Sequence, residues 1–397
     1  MLGAGLAGCS VAGALAARGL RVTVLDRAAV AAAASGNPQG ILYTRLSRQH
    51  STLVDFALLS YRFSLAVYAS MLREGKLRAG VEGDLCGCFH SNDKVQELAS
   101  VAAAFSGLED FACVLDARAA SERIGLEQPH DGYWFAGSGW LDPRAVCRSL
   151  LAQANILTQT QCGPLRLRYR DGQWRAIASG SEIAAADVAV IATGTETLGL
   201  EQTAWLPLRS VRGQTTQLAS AGALTALRAA VCHSGYIAPA SGGAHCIGSS
   251  FHIDDEDSTL RPADHIDNLE KLYAALPSAR KVLQDIDAAA LPGRVGQRCA
   301  SPDYLPLVGP VPDVDAFSTR YAGLRRNARQ YIDQQAPCLP GLYVSTGHGS
   351  RGLTSTPLAA EMLASMICNE PLPLERSLSR ALSPARFLVR DLVRGSR

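Results

Sequence analysis

The chain has 397 residues, 47% hydrophobic and 19% charged, with a formal net charge of +2; this balance fits a folded globular protein with a full core and excludes a disordered chain. No uninterrupted apolar run approaches the roughly 18 residues of a membrane span, and the Ala-rich start lacks a basic n-region and cleavage site, so a cytoplasmic protein that does not engage a membrane is expected. Near-neutrality confines any nucleic-acid surface to a local patch, and 11 cysteines without paired CxxC spacing argue against a zinc or other metal site and against a disulfide framework.

Gly3, Gly5 and Gly8 open the chain as G-x-G-x-x-G, residues 11–19 read as an Ala-rich helix, and residues 21–25 are a β-rich run that ends at Asp26. Loop, helix, strand and acid in that order are half of a dinucleotide-binding βαβ unit. The glycines permit the tight turn, the approach of backbone to a pyrophosphate, and close helix–strand packing. Asp26 falls where an acid hydrogen-bonds a ribose hydroxyl, with Arg27 beside it. A central parallel strand needs about five apolar residues before the first glycine, and only Met1 and Leu2 are present. The expectation is therefore a truncated first strand, with either a start set too late or an upstream domain removed.

Helical patterning covers residues 51–73 and 93–105, whereas residues 210–251 alternate apolar and polar positions with glycine punctuation, as antiparallel strands do. Residues 187–194 form a short buried strand ending at a small-residue turn with Thr193 and Gly194, suited to a parallel strand whose carboxyl end faces a cofactor. Residues 341–347 are another buried strand, followed by a glycine loop and a helix over about 354–367. A helix N-terminus there would favour developing negative charge, as on the pyrimidine end of a reduced flavin.

A dinucleotide site drawn from both ends of the chain suggests FAD more than NAD, and particular residues sharpen this. Residues 34–43, with Ser35, Gly36, Asn37, Gln39 and Gly40 followed by Tyr43, resemble the flavin-contacting segment of the glycine/sarcosine/D-amino-acid oxidase superfamily. Their Ser-Gly-Asn-x-Gln-Gly form is similar to the FAD-dependent oxidoreductase part of the MnmC family of bifunctional tRNA 5-methylaminomethyl-2-thiouridine biosynthesis proteins. Residues 298–310, 347–355 and 382–390 resemble that family too, so the resemblance spans essentially the whole chain. It implies an α/β (mixed α+β) fold: a Rossmann-like FAD-binding domain of the D-amino-acid oxidase type, and a second, antiparallel-sheet substrate domain. The boundaries expected are 1–80, 131–207 and 292–397 for the FAD-binding domain, and 81–130 and 208–291 for the substrate domain.

The resemblance also implies a reaction. The carboxymethylaminomethyl group of a tRNA wobble uridine is an N-substituted glycine, and hydride transfer to flavin N5 followed by hydrolysis of the imine gives glyoxylate and an aminomethyl uridine. Such chemistry needs a carboxylate anchor and a preorganised flavin more than a dedicated acid or base. Arg298 is the first candidate anchor, because a guanidinium binds a carboxylate bidentately and stays charged; a solvated strand arginine is the competing reading. Tyr236 resembles the superfamily position that brings a hydroxyl to the substrate carboxylate, against an aromatic packed on a sheet face. Arg351 could serve cofactor or substrate. Cofactor contacts are implied at Gly347, His348, Gly349, Ser350, Gly352, Leu353 and Thr354, with His348 either a base or a loop hydrogen-bonder. Cys299 offers only a remote case for covalent flavin attachment.

For tRNA as partner, Arg320, Arg325, Arg326 and Arg329 cluster around Tyr321, and Arg376, Arg380, Arg386, Arg390, Arg394 and Arg397 crowd the chain end with Asp391 opposing them. Solvated helix faces are the competing reading. The family resemblance further implies a methyltransferase domain, upstream or separate. The rival functions are a glycine/sarcosine-type oxidase of free small amines, an inactive flavin- or tRNA-binding fragment, and an NAD-dependent dehydrogenase, which would leave residues 35–40 and 347–352 unexplained.

Overall fold

The computed structural model describes residues 1–44, 46–92, 94–104, 107 and 111–395. The chain divides into two compact units: residues 1–32, 150–210 and 298–397 form one, and residues 33–149 and 211–297 the other. Residues 33–80 and 131–149, grouped above with the dinucleotide-binding segments, fall by packing in the second unit.

The first unit is built on a parallel sheet. Val22–Leu25 pairs in parallel with Ile156–Gln159, and Ala189–Ile191 pairs in parallel with Cys338–Thr346, which takes Leu307–Pro312 antiparallel on its other side. Leu2 joins the two halves, bridging in parallel to both Leu25 and Ile191, so the two residues ahead of Gly3 occupy the central strand position. Within the run at 187–194, Ala189–Ile191 is the buried parallel strand expected there, and its apolar character follows from being covered on both faces. A meander of Leu165–Arg170, Gln173–Ala178 and Ser181–Ala186 supplies Leu167, Trp174 and Ala176 to a core shared with Leu2, Ile191, Leu342 and Val344. The Trp174 indole N–H donates to the Pro340 carbonyl at 2.6 Å. Near the chain end, Val314–Arg320, Ala322–Arg325 and Ala385–Val393 enclose a small core of Phe317, Leu324, Leu388 and Leu392.

In the second unit Arg209–Ala219, Ala244–Gly248, Tyr236–Ile237 and Ala230–Cys232 pair antiparallel in that order, as the alternation over 210–251 predicts. The sheet continues through one parallel pairing to Cys88–Ser91. Its core gathers Phe89, Trp134, Leu218, Val231, Ile247 and Leu272. The helix Thr52–Arg73 is capped by Ser51, whose hydroxyl accepts the Val54 N–H at 3.3 Å. By length and composition it is the one helix among the described residues that could cross a membrane; Phe56, Tyr61, Tyr68 and Met71 bury one of its faces, as a core helix does. The helix expected over 93–105 is Val95–Ala104, with Asp93 and Phe105 outside the described residues.

Candidate active site and dinucleotide cradle

In the first unit, Gly3 has φ +97°, and a Cβ there would lie 2.4 Å from the Ala192 carbonyl oxygen. A Cβ at Gly8 would lie 1.9 Å from the Gly3 carbonyl oxygen. Both positions therefore require glycine so that strand, turn and helix can touch backbone to backbone. Gly5 caps the helix Leu6–Ala17 in extended conformation and offers no side-chain acceptor, so the helix N-terminus remains suited to an anion. Asp26 stands where Val22–Leu25 ends. Its carboxylate accepts the Ala4 N–H at 2.7 Å and the Ala28 N–H at 2.8 Å, which fixes its orientation while each oxygen keeps a lone pair for a ribose hydroxyl. Arg27 is ion-paired with Glu196 from the turn Gly194–Gly199. Thr193 caps that turn, its hydroxyl 3.1 Å from Thr197, and Thr346 donates to the Gly194 carbonyl at 3.3 Å.

The far end of the chain supplies a second helix N-terminus beside the first. A Cβ at Gly352 would lie 3.1 Å from Leu6 Cδ1, and Ser10 donates to Thr356 at 3.2 Å, so Leu6–Ala17 and Gly352–Ile367 run side by side with their first turns level. Leu353 and Thr354 are buried in this first turn, whereas Ser350 is exposed. The loop before it runs along the strand end that carries Arg298: Ala300 bridges to His348, and the Gly349 N–H donates to the Cys299 carbonyl at 2.8 Å. Arg298 and Arg351 are thereby brought to the same loop–strand pair, both half-buried.

His348 fastens this loop. Its Nε2 lies 3.2 Å from the Ser345 hydroxyl and its Nδ1 2.8 Å from the Ser355 hydroxyl, which itself donates to the Arg351 carbonyl at 2.9 Å. The ring keeps some accessible surface yet lies deep among protein atoms, and burial pushes its pKa down to about 4. It is a neutral hydrogen-bonding bridge near neutral pH. Cys299 is buried and its thiol is pushed up by that burial, which makes it an inert thiol.

In the second unit, Ser35 and Gly36 lie in the short turn Ala34–Gly36, and Gly40 opens the strand Gly40–Leu42. The Gln39 side chain is consumed internally: it donates to the Pro239 carbonyl at 2.8 Å and accepts the Cys246 N–H at 3.0 Å. Tyr236 donates to the Gln39 carbonyl at 3.3 Å, so the residues singled out at 39 and 236 are close neighbours. Arg294 donates to Asn37 Oδ1 at 3.2 Å and to the Ala33 carbonyl, tethering the start of the segment. Burial, with Arg144 nearby, lowers its pKa. Sequence reasoning passed over Arg294, since a single arginine in a glycine-flanked strand gives no local sign of what it holds.

A family model described as DAO, FAD dependent oxidoreductase, matches residues 2–366. The chain belongs to the FAD dependent oxidoreductase family. It is 41% identical over 401 residues to the tRNA 5-methylaminomethyl-2-thiouridine biosynthesis bifunctional protein MnmC of Pseudomonas fluorescens (strain Pf0-1), covering 100% of this chain and 60% of that protein. The MnmC of Pseudomonas aeruginosa (strain UCBPP-PA14) is also 41% identical, over 403 residues, with the same coverage. The chain thus spans about 60% of the length of these relatives. Among solved structures, glycine oxidase from Geobacillus kaustophilus matches with a TM-score of 0.74 and 19% identity over 97% of each chain. Iminodiacetate oxidase from Chelativorans sp. BNC1 gives 0.73 and 21%, covering 96% of this chain and 98% of that one; at such identities the likeness shows the fold.

FAD, the cofactor of this oxidoreductase family, fits the residues present. The tight turn that Gly3 and Gly8 allow by packing backbone on backbone, the two level helix N-termini and the oriented Asp26 carboxylate are what a dinucleotide diphosphate and its ribose need. The NAD-dependent dehydrogenase reading falls with the family assignment.

Of the two basic clusters, the tertiary structure spends part of the C-terminal one internally. Arg386 grips Asp303 through Nε at 2.9 Å and Nη2 at 3.0 Å and donates to the carbonyls of Leu305 and Pro306. Arg390 pairs with Asp391. Arg320, Arg325, Arg326, Arg329, Arg376, Arg380 and Arg394 are exposed, and Arg397 lies outside the described residues.

Proposed function

We propose that this flavin oxidoreductase removes the carboxymethyl group from 5-carboxymethylaminomethyl-(2-thio)uridine at the tRNA wobble position, giving the 5-aminomethyl nucleoside and glyoxylate. Similarity to MnmC along the whole chain carries the reading. Bound FAD supplies the two-electron acceptor for the hydride that leaves the methylene carbon between amine and carboxylate. The resulting substrate imine takes up water and splits into glyoxylate and the primary amine.

The residues have separate tasks in this proposal. Gly3, Gly5 and Gly8 admit the diphosphate, Asp26 takes the ribose, and Thr193, Gly194 and the 347–354 loop contact the flavin half, as do residues 35–40. Arg298 anchors the substrate carboxylate, Arg351 assists from the adjoining loop, and Tyr236 gives up its bond to the Gln39 carbonyl to donate its hydroxyl proton to the substrate. His348, neutral and bonded at both ring nitrogens, positions the loop and is not the base. A methyltransferase, fused or separate, is the partner that consumes the aminomethyl product.

The test is anaerobic mixing of FAD-reconstituted protein with tRNA bearing 5-carboxymethylaminomethyluridine, and separately with glycine and sarcosine. Bleaching of the flavin band by the tRNA alone, with glyoxylate released, is the expected result. Bleaching by the small amines alone overturns the proposal in favour of a free-amine oxidase.

A further inference from the structure

The meander of the first unit carries a charge pattern that the cofactor site does not use. Arg166, Arg168 and Arg170 occupy alternate positions of the strand Leu165–Arg170, and all three are exposed. Leu165, Leu167, Trp174 and Ala176 pack toward the core, so the two-residue period turns the arginines to the opposite face of the sheet. Arg175, which pairs with Arg168 across the ladder, is held by Glu182 at 2.9 Å. Arg170 meets Asp171 at 3.3 Å with both side chains largely in water, a pair worth little. The guanidinium groups of Arg166 and Arg168 have no hydrogen-bond or ion partner among the described residues.

Three like charges in a straight row repel one another, and among the described residues no ion pair offsets two of them. Their spacing is about 6.6 Å, set by two residues of strand rise, close to the separation of successive phosphates along one nucleic-acid strand. The nearby aromatics, Tyr169 and Trp174, pack against each other with centroids 5.0 Å apart and rings tilted by 49° on the other face of the strand, so the row offers charge without a surface for bases. We infer that the row Arg166–Arg168–Arg170 is a docking strip for the RNA backbone, each guanidinium taking one phosphate of the substrate tRNA. The inference rests on the tRNA reading above. An acidic polypeptide could also meet three arginines, but its charges have no fixed spacing to match a rigid strand.

The experiment is a salt titration of tRNA binding to the FAD-loaded full chain, read by fluorescence anisotropy of labelled tRNA. The R166Q/R168Q/R170Q variant is expected to bind roughly ten- to a hundred-fold more weakly near physiological salt, with the slope of log Kobs against log salt reduced by about 2 to 3. The R166K/R168K/R170K variant, which keeps the charge, should retain most of both. Should the triple variant fail to fold, R168Q alone is expected to lower the slope by about 0.7 to 0.9. If the unaltered protein binds tRNA and the glutamine variant matches it in affinity and slope, the strip is overturned while the tRNA reading stands. If the unaltered protein binds no tRNA, both fall; if poly-glutamate binds through these arginines and tRNA does not, the partner is an acidic protein and the inference is overturned.

Discussion

His348 Nδ1 lies 2.8 Å from the hydroxyl of Ser355, and this bond ties the glycine loop to the first turn of the helix Gly352–Ile367. Because Ser355 also donates to the Arg351 carbonyl, its oxygen accepts from the imidazole. Nδ1 then carries the proton and Nε2 accepts from Ser345. A neutral ring satisfies the whole chain of bonds, in keeping with the burial that pushes its pKa down to about 4.

Acid should therefore loosen the protein well before its carboxylates titrate. His348 and His233 are both lowered to about 4 by burial. A histidine held neutral below its unfolded pKa binds fewer protons when folded, so stability is fully present above about pH 6.5 and falls as pH drops toward 4. Each can contribute up to roughly 3 kcal/mol over that window. Urea unfolding at pH 7, 6, 5 and 4 is expected to show the loss, and His348→Gln to flatten part of it; identical slopes for the two proteins would remove His348 from the account.

Gly8→Ala places a methyl group 1.9 Å from the Gly3 carbonyl oxygen, and neither backbone can yield without parting helix from strand. A loss of about 1–3 kcal/mol in stability is expected, together with loss of bound flavin. The visible absorbance of the purified protein, relative to its protein band, reads the second effect directly.

Arg298→Lys keeps the charge but not the two-pronged geometry. As the carboxylate anchor, Arg298 should on this change lose kcat/KM toward the modified tRNA on the order of 100-fold, about 3 kcal/mol, mostly through KM, with flavin content unchanged. Steady-state kinetics at saturating acceptor would show instead an unaltered KM if the arginine were only a solvated strand residue.

Arg386 and Arg394 sit in one basic cluster and should behave oppositely. Arg386→Ala removes a bidentate bond to Asp303 and four carbonyl contacts, to Leu305, Pro306, Leu382 and Ser383, and is expected to cost roughly 2–3 kcal/mol. Arg394→Ala, on an exposed side chain, should stay within about 0.5 kcal/mol. Thermal melts of the two variants decide it, and show why weaker tRNA binding by an Arg386 variant would not by itself mark a phosphate contact.

In the second unit, Arg212 is wholly buried and bound to Asp264, which also meets His252 at 2.8 Å. Arg212→Met should destabilise by about 3–5 kcal/mol by leaving the carboxylate without its guanidinium, whereas Arg212→Met with Asp264→Leu should recover most of that loss. Equal destabilisation by the single and double variants would contradict it.

Local chemistry made the cofactor half legible in the chain itself. Gly3, Gly8 and Asp26 are dictated by backbone approach and a carboxylate at a strand end, and the alternation over 210–251 is dictated by a sheet with one buried face; these constraints act over a few residues, so a linear reading can find them. Tertiary structure alone decided which residues share a task. It set the first turns of Leu6–Ala17 and Gly352–Ile367 level, seated Leu2 between Leu25 and Ile191, turned Gln39 from a free amide into a clamp on Pro239 and Cys246, and drew Arg386 onto Asp303. Those pairings join residues tens to hundreds of positions apart, and their energy comes from burial and hydrogen-bond geometry that no window along the chain contains.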